Sequence, residues 1–188
     1  EQEVFAWDEE VTEHPDESIN VEAFQKGWVE LEDTHDFFGL LKKHKLTRTQ
    51  ALRLAPEGNY AVKVDPMAFR KVITQAAEKD TPIMVFVGNK GMIQIHTGPV
   101  KRLLDHQDWF NIMDPDFNLH VKEPSLKDVW VVRKPTKDGM VTALECFDAD
   151  GKQVVQLFGK RKPGIPELEA WREIVAEVEG ETTLVASV

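Results

Sequence analysis

Hydrophobic periodicity switches at Pro82 in this 188-residue chain, and that switch constrains the fold more than any other feature. Before it the spacing is mostly helical. Val21, Phe24, Trp28 and Leu31 fall on one helix face. Asp33-Thr34 offers N-cap candidates for a second helix, from His35 to about Lys45, with Phe37, Leu40, Leu41 and His44 as its stripe. Thr47-Arg-Thr-Gln50 has the form of a capping box and opens a third helix through Leu54. Tyr60 to Val64 alternates like a strand, and Pro66 to about Glu78 is a helix with Pro near its first turn. After Pro82 the period is two. Ile83–Val87, the turn Gly88-Asn-Lys-Gly91 and Met92–Ile95 form a hairpin pattern. Trp109–Ile112, Leu119–Val121, Val129–Arg133, Met140–Phe147 and Gln153–Phe158 are further strands, and Pro166–Glu179 closes the chain as a helix. The expectation is an α+β fold: N-terminal helices, a large antiparallel sheet and a C-terminal helix.

Charge divides the chain differently. Residues 1–36 carry 13 acids against one base, Lys26, while the rest is faintly basic at +2. Residues 1–20 therefore read as an acidic linker or pre-domain segment, and 21–188 as one domain. A net charge of −10 argues against nucleic acid as a partner. No apolar run approaches the ~18 residues of a membrane span, so no membrane insertion is expected. The opening residues Glu1-Gln-Glu-Val-Phe lack the basic-then-apolar pattern of a secretory leader. A single cysteine, Cys146, excludes an internal disulfide or a multi-cysteine metal site, and its place in a strand pattern fits an inert buried thiol.

Three stretches gather positive charge: Phe37–Pro56, with Lys42, Lys43, Lys45, Arg48 and Arg53; Val129–Lys137, with Arg133, Lys134 and Lys137; and Gly151–Gly164, with Lys152, Lys160, Arg161 and Lys162. They are either solvated faces or parts of one site for an anionic ligand. Hydrolase and phosphate-loop templates are absent, and the six histidines hold no zinc-protease spacing. His35 stands apart because it opens a helix with Phe38 and Gly39 as its surface neighbours. Gly inside a helix costs about 1 kcal/mol against Ala. Here it leaves space beside an imidazole with an apolar wall. A flat macrocycle with its metal on the imidazole fits that arrangement, and so does a structural histidine.

The segments Gly88-Asn-Lys-Gly-Met-Ile-Gln-Ile-His-Thr-Gly-Pro-Val100, Trp109-Phe-Asn-Ile-Met-Asp-Pro-Asp-Phe-Asn-Leu-His120, Val129-Trp-Val-Val-Arg-Lys-Pro-Thr136 and Gln156-Leu-Phe-Gly-Lys-Arg-Lys-Pro-Gly164 resemble the HemS/ChuS/PhuS family of bacterial haem-utilisation proteins. The likeness runs from about Phe24 to Glu177, and the strand region is also similar to the shorter ChuX/HutX proteins. Family members have two similar halves, and Asp33-Thr-His-Asp-Phe-Phe-Gly-Leu-Leu resembles the start of the second. The resemblance implies haem (iron protoporphyrin IX) as the cofactor, His35 as its axial iron ligand, and Arg48, Lys134, Gln156, Phe158 and Arg161 as residues holding the propionates or lining the macrocycle. It implies Phe86 as a pocket wall. Asp36 and Phe38 stand where some relatives carry extra histidines, and the first half, with its distal arginine, lies outside the matched region.

The function so implied is a cytoplasmic haem-binding and trafficking domain in bacterial iron acquisition. The alternatives are a haem-degrading, haem-oxygenase-like domain that releases iron, and a structural half that packs on a missing N-terminal half. The implied partners are haem, a second copy or an N-terminal half of the same family, a haem oxygenase and a haem importer.

Overall fold

The computed structural model describes residues 12–89 and 91–185, with side chains through residue 180. Lys90 of the expected hairpin turn and residues 1–11 of the acidic segment lie outside the described residues. The elements follow the order α1 (Val21–Val29), α2 (Asp36–His44), α3 (Arg48–Arg53), β1 (Ala61–Val64), α4 (Ala68–Glu78), β2 (Ile83–Gly88), β3 (Ile93–Gly98), β4 (Leu103–His106), β5 (Trp109–Met113), β6 (Asn118–Lys122), β7 (Asp128–Thr136), β8 (Gly139–Phe147), β9 (Gln153–Gly159) and α5 (Glu169–Val185). The α+β expectation holds, with the helix at the C-terminus.

Six strands form one antiparallel sheet in the order β1-β7-β8-β9-β2-β3, and β4-β5-β6 form a second. Alternation along each strand gives the large sheet two different faces. One face carries Val129, Val131, Leu144, Cys146, Val155, Leu157, Ile83 and Val85 and packs on α4, α5 and the inner side of the small sheet. On that side Gly159 lets α5 approach closely: a Cβ there would stand 2.6 Å from Trp171 Cγ. The Trp171 indole N–H donates to the Thr142 carbonyl at 3.0 Å and pins α5 to β8.

The other face is only half covered. Helices α1–α3 bury Trp130, Val132 and Phe147 together with Phe24, Trp28, Phe37, Leu41 and Leu52. The Trp28 indole N–H donates to the Arg133 carbonyl at 2.9 Å, the counterpart of Trp171 on the opposite side. Over β9, β2 and β3 the same face stays open.

The start of α2 differs from expectation. The helix begins at Asp36, and His35 occupies the cap position with helical dihedrals but makes no side-chain hydrogen bond to the helix backbone. The Asp33 carboxylate accepts instead from the His35 backbone N–H at 2.8 Å, which closes a turn one step before the helix. Thr47 does cap α3, accepting from the Gln50 N–H at 3.2 Å. The closing helix starts at Glu169, three residues after Pro166, because Glu167 turns inward to accept from the Thr142 N–H at 2.6 Å. Strand β4 was not expected from the sequence. In the acidic N-terminal segment, Gln50 donates to the His14 carbonyl and the Asp16 carboxylate at 2.7 Å each, and Arg53 pairs with Glu13, so residues 13–16 lie against α3.

Candidate functional site

The open half of the sheet continues a row of side chains that runs across all six strands. Lys63, Trp130, Glu145, Gln156, Phe86 and Ile95 stand opposite one another in register and share one face. The next row holds Ala61, Val132, Ala143, Phe158, Met84 and Thr97. Phe86 and Phe158 meet edge to face, ring centroids 5.1 Å apart, and form an apolar floor beside Gln156. The depression lined by Phe86, Asn89, Ile93, Gln153 and Gln156 has a volume of about 230 Å³. It is smaller than the ~300–1,000 Å³ of typical ligand pockets, so a large flat ligand would lie on this face rather than inside it.

Where the floor meets the helices, Glu145 is fully buried in mid-strand. A lone buried carboxylate would be prohibitively costly, so its partners decide whether it is tolerated. Arg48 grips it with two hydrogen bonds, Nε to Oε2 at 2.6 Å and Nη2 to Oε1 at 2.7 Å. Lys134 Nζ donates to Oε1 at 2.8 Å and Gln153 Nε2 to Oε2 at 3.2 Å. A register shift between β8 and β9 at Cys146/Phe147 places Gln153, rather than Val154, opposite Phe147. Burial alone would raise the Glu145 carboxyl, but the charges of Arg48 and Lys134 outweigh it and hold the group down at about 2. Burial pushes Lys134 down to about 8, against the pull of Glu145. Two cations share one carboxylate, so the cluster keeps one net positive charge beside the open face. The Phe37 ring packs on both, 5.4 Å from the Arg48 guanidinium carbon and 4.6 Å from Lys134 Nζ.

Phe37 lies in the first turn of α2, two residues after His35. The His35 side chain is 93% exposed, and its Nδ1 sits 2.6 Å from the Asp33 carboxylate, which leaves Nε2 outward for a ligand. Backbone and side-chain hydrogen bonds from His35 hold the Asp33 carboxyl below its usual value, with a smaller contribution from the charge of Arg161. The β7–β8 turn ties the two regions together. Lys137 binds Glu32 at 2.9 Å, while Asp138 takes the Gly164 N–H at 2.9 Å and stands 3.8 Å from Arg161. Phe38 is 66% exposed, and a Cβ on Gly39 would meet no atom within 4 Å.

Of the seven residues singled out from the sequence, Gln156, Phe158 and Phe86 lie on the floor, Arg48 and Lys134 meet at Glu145 where the floor reaches the helices, and His35 and Arg161 come near each other through Asp33 beside the β7–β8 turn. Arg48 and Lys134 are already engaged by Glu145. Sequence reasoning passed over Glu145, Gln153 and Phe37. The available signal was a lone acid in the apolar run Val141–Phe147, since a carboxylate there requires basic partners. Other histidines have structural surroundings. His44 meets Phe24 edge-on at 5.7 Å, and burial, with help from Lys43, lowers its pKa. His96 stacks on Phe117 at 3.9 Å, and His120 Nδ1 lies 2.7 Å from Asn111 Oδ1. Cys146 is buried and its thiol is pushed far up by burial, as expected for an inert residue.

The family model of the haemin-degrading HemS.ChuX domain matches residues 45–178. The hemin transport protein HemS of Yersinia enterocolitica is 43% identical over 171 residues, covering 90% of this chain and 48% of the relative. Among solved structures, holo-PhuS, a haem-binding protein of Pseudomonas aeruginosa, superposes with a TM-score of 0.87 at 51% identity, covering 89% of this chain and 48% of that one. ChuS, an E. coli haem oxygenase, superposes with a TM-score of 0.82 at 40% identity, covering 89% and 50%. ChuX, at 14% identity and a TM-score of 0.70, shares the fold over 88% of this chain and 99% of its own. The chain spans about half the length of the HemS, PhuS and ChuS proteins. With the family model covering well over half of its residues, the chain belongs to the family of haemin-degrading HemS.ChuX domains.

Proposed function

We propose that this chain binds haem on the open sheet face and passes it on, with His35 Nε2 as the axial iron ligand. The observation that carries the reading is His35 itself: an imidazole standing in solvent, its Nδ1 held by Asp33 at 2.6 Å, two residues before the Phe37 ring that packs on the net-positive Arg48–Lys134–Glu145 cluster. A carboxylate on the far ring nitrogen fixes the tautomer and raises the basicity of a metal-bound imidazole. The residues fit the group. Empty space at Gly39 and the exposed Phe38 ring leave room for a macrocycle beside the imidazole. Phe86 and Phe158 offer an apolar surface, while Arg161 and the Arg48–Lys134 pair supply charge for the propionates. Haem, when bound, supplies iron-centred redox chemistry. The chain's own residues bind it, orient it and neutralise its carboxylates.

The degradative reading stays in play because the matched ChuS is described as a haem oxygenase. Titration with haem tests the first reading: one haem per chain, with a Soret band that shifts in His35→Ala. An unchanged spectrum in that variant places the ligand elsewhere. Biliverdin and released iron formed in the presence of catalase would move the assignment to degradation. Delivery to a haem oxygenase, receipt from an importer and a cytoplasmic setting belong to this proposal. Among the described residues no helix is long and apolar enough to cross a membrane.

A further inference from the structure

The two ends of the site meet at one residue. His35 makes its side-chain contact with Asp33, an exposed loop residue, so its placement depends on how the first turn of α2 is seated. That turn is seated by Phe37, buried against Trp28 with ring centroids 4.6 Å apart and against both cations of the Glu145 cluster. Those cations come from α3 and β7, and the fully buried Glu145 holds them together from β8. Four hydrogen bonds from three side chains saturate its carboxylate. This is more than charge balance requires, and it fixes where the guanidinium and ammonium groups stand. The cluster lies in the sheet row that also holds Gln156 and Phe86.

We propose that Glu145 is a positioning residue for the site: by drawing Arg48 and Lys134 against Phe37, it couples the carboxylate-binding end to the His35 end. The inference rests on the reading of His35 as iron ligand. In this arrangement a ligand carboxylate that reaches Arg48 or Lys134 acts on the ring that seats α2, and iron on His35 acts back through the same ring.

A double-mutant cycle in the full chain tests it, read by haem affinity and by the Soret band. Glu145→Gln is expected to lower affinity about tenfold and to shift the Soret band when His35 is present. In the His35→Ala background the same change is expected to cost less than about threefold. Affinity factors that simply multiply, with a normal Soret band in Glu145→Gln, overturn the coupling and leave the His35 reading intact. An unchanged Soret band in His35→Ala overturns that reading and the coupling with it. Should Glu145→Gln fail to fold, Phe37→Leu replaces it in the cycle. That variant keeps an apolar side chain under α2 and removes the ring, so the same non-multiplying result is expected, and multiplying factors again overturn the proposal.

Discussion

Two residues carry opposite lessons about cost. Gly39 sits inside a helix, where Gly is worse than Ala by about 0.5–1 kcal/mol, and nothing occupies the space its Cβ would fill. Gly39→Ala is therefore expected to raise stability by about that amount in chemical denaturation. The larger Gly39→Leu is expected to leave stability near wild type while weakening haem binding, because it fills the space beside His35. Equal haem affinity in Gly39→Leu would show that the macrocycle does not pass there. Glu145 is the reverse case, a charge in the core made tolerable by its partners. Its carboxyl is held at about 2, against 4.5 for the free group, by Arg48 and Lys134. A carboxyl lowered in this way contributes stability that is complete above about pH 4.5 and disappears as pH falls toward 2, on the order of 3 kcal/mol. Acid unfolding curves should be steep through that window in the wild type and flatter in Glu145→Gln. Equal slopes would show that the carboxylate gains nothing from its cations.

At the scale of elements, close approach decides the packing. Helix α5 reaches the sheet only because residue 159 lacks a Cβ, and the atoms in the way are Trp171 Cβ, Cγ and Cδ1 at 2.7, 2.6 and 2.9 Å. These belong to the fixed root of a buried indole, so they cannot swing aside. Gly159→Ala is expected to cost about 1–3 kcal/mol in urea unfolding, through overpacking. A neutral result would mean that α5 shifts freely on β9. Most elements were legible because burial imposes one period on each of them: Phe24 and Trp28 on α1, Val72, Ile73 and Ala76 on α4, and the alternating Val129 and Val131 on β7. Strand β4 was not, since Leu103-Leu-Asp-His106 is short and mostly exposed, and its partner Trp109–Ile112 defines it as a strand. The site followed the same division. Basic stretches and His35 were visible one by one, whereas their assembly depends on pairings such as Arg48 with Glu145, 97 residues apart, which no local pattern encodes.

For the whole molecule the large sheet has one largely covered face and one that is half open. Exposed Ile93 and Ile95 extend that open face to the edge strand β3. Apolar strips of this kind usually become interfaces, and a second copy related by a two-fold axis would let the strip meet itself. Sedimentation should show association that grows with concentration and weakens in Ile95→Lys, while a monomer at every concentration would overturn it. The buried carboxylate has one more consequence, in the order of events as the chain folds. Lys134 lies 11 residues from Glu145, across the β7–β8 hairpin, whereas Arg48 must return from the far end of the helical region. Nearby segments close sooner than distant ones. On that ground the lysine is expected to pair with the acid as the hairpin closes, and the arginine to dock later together with the helices.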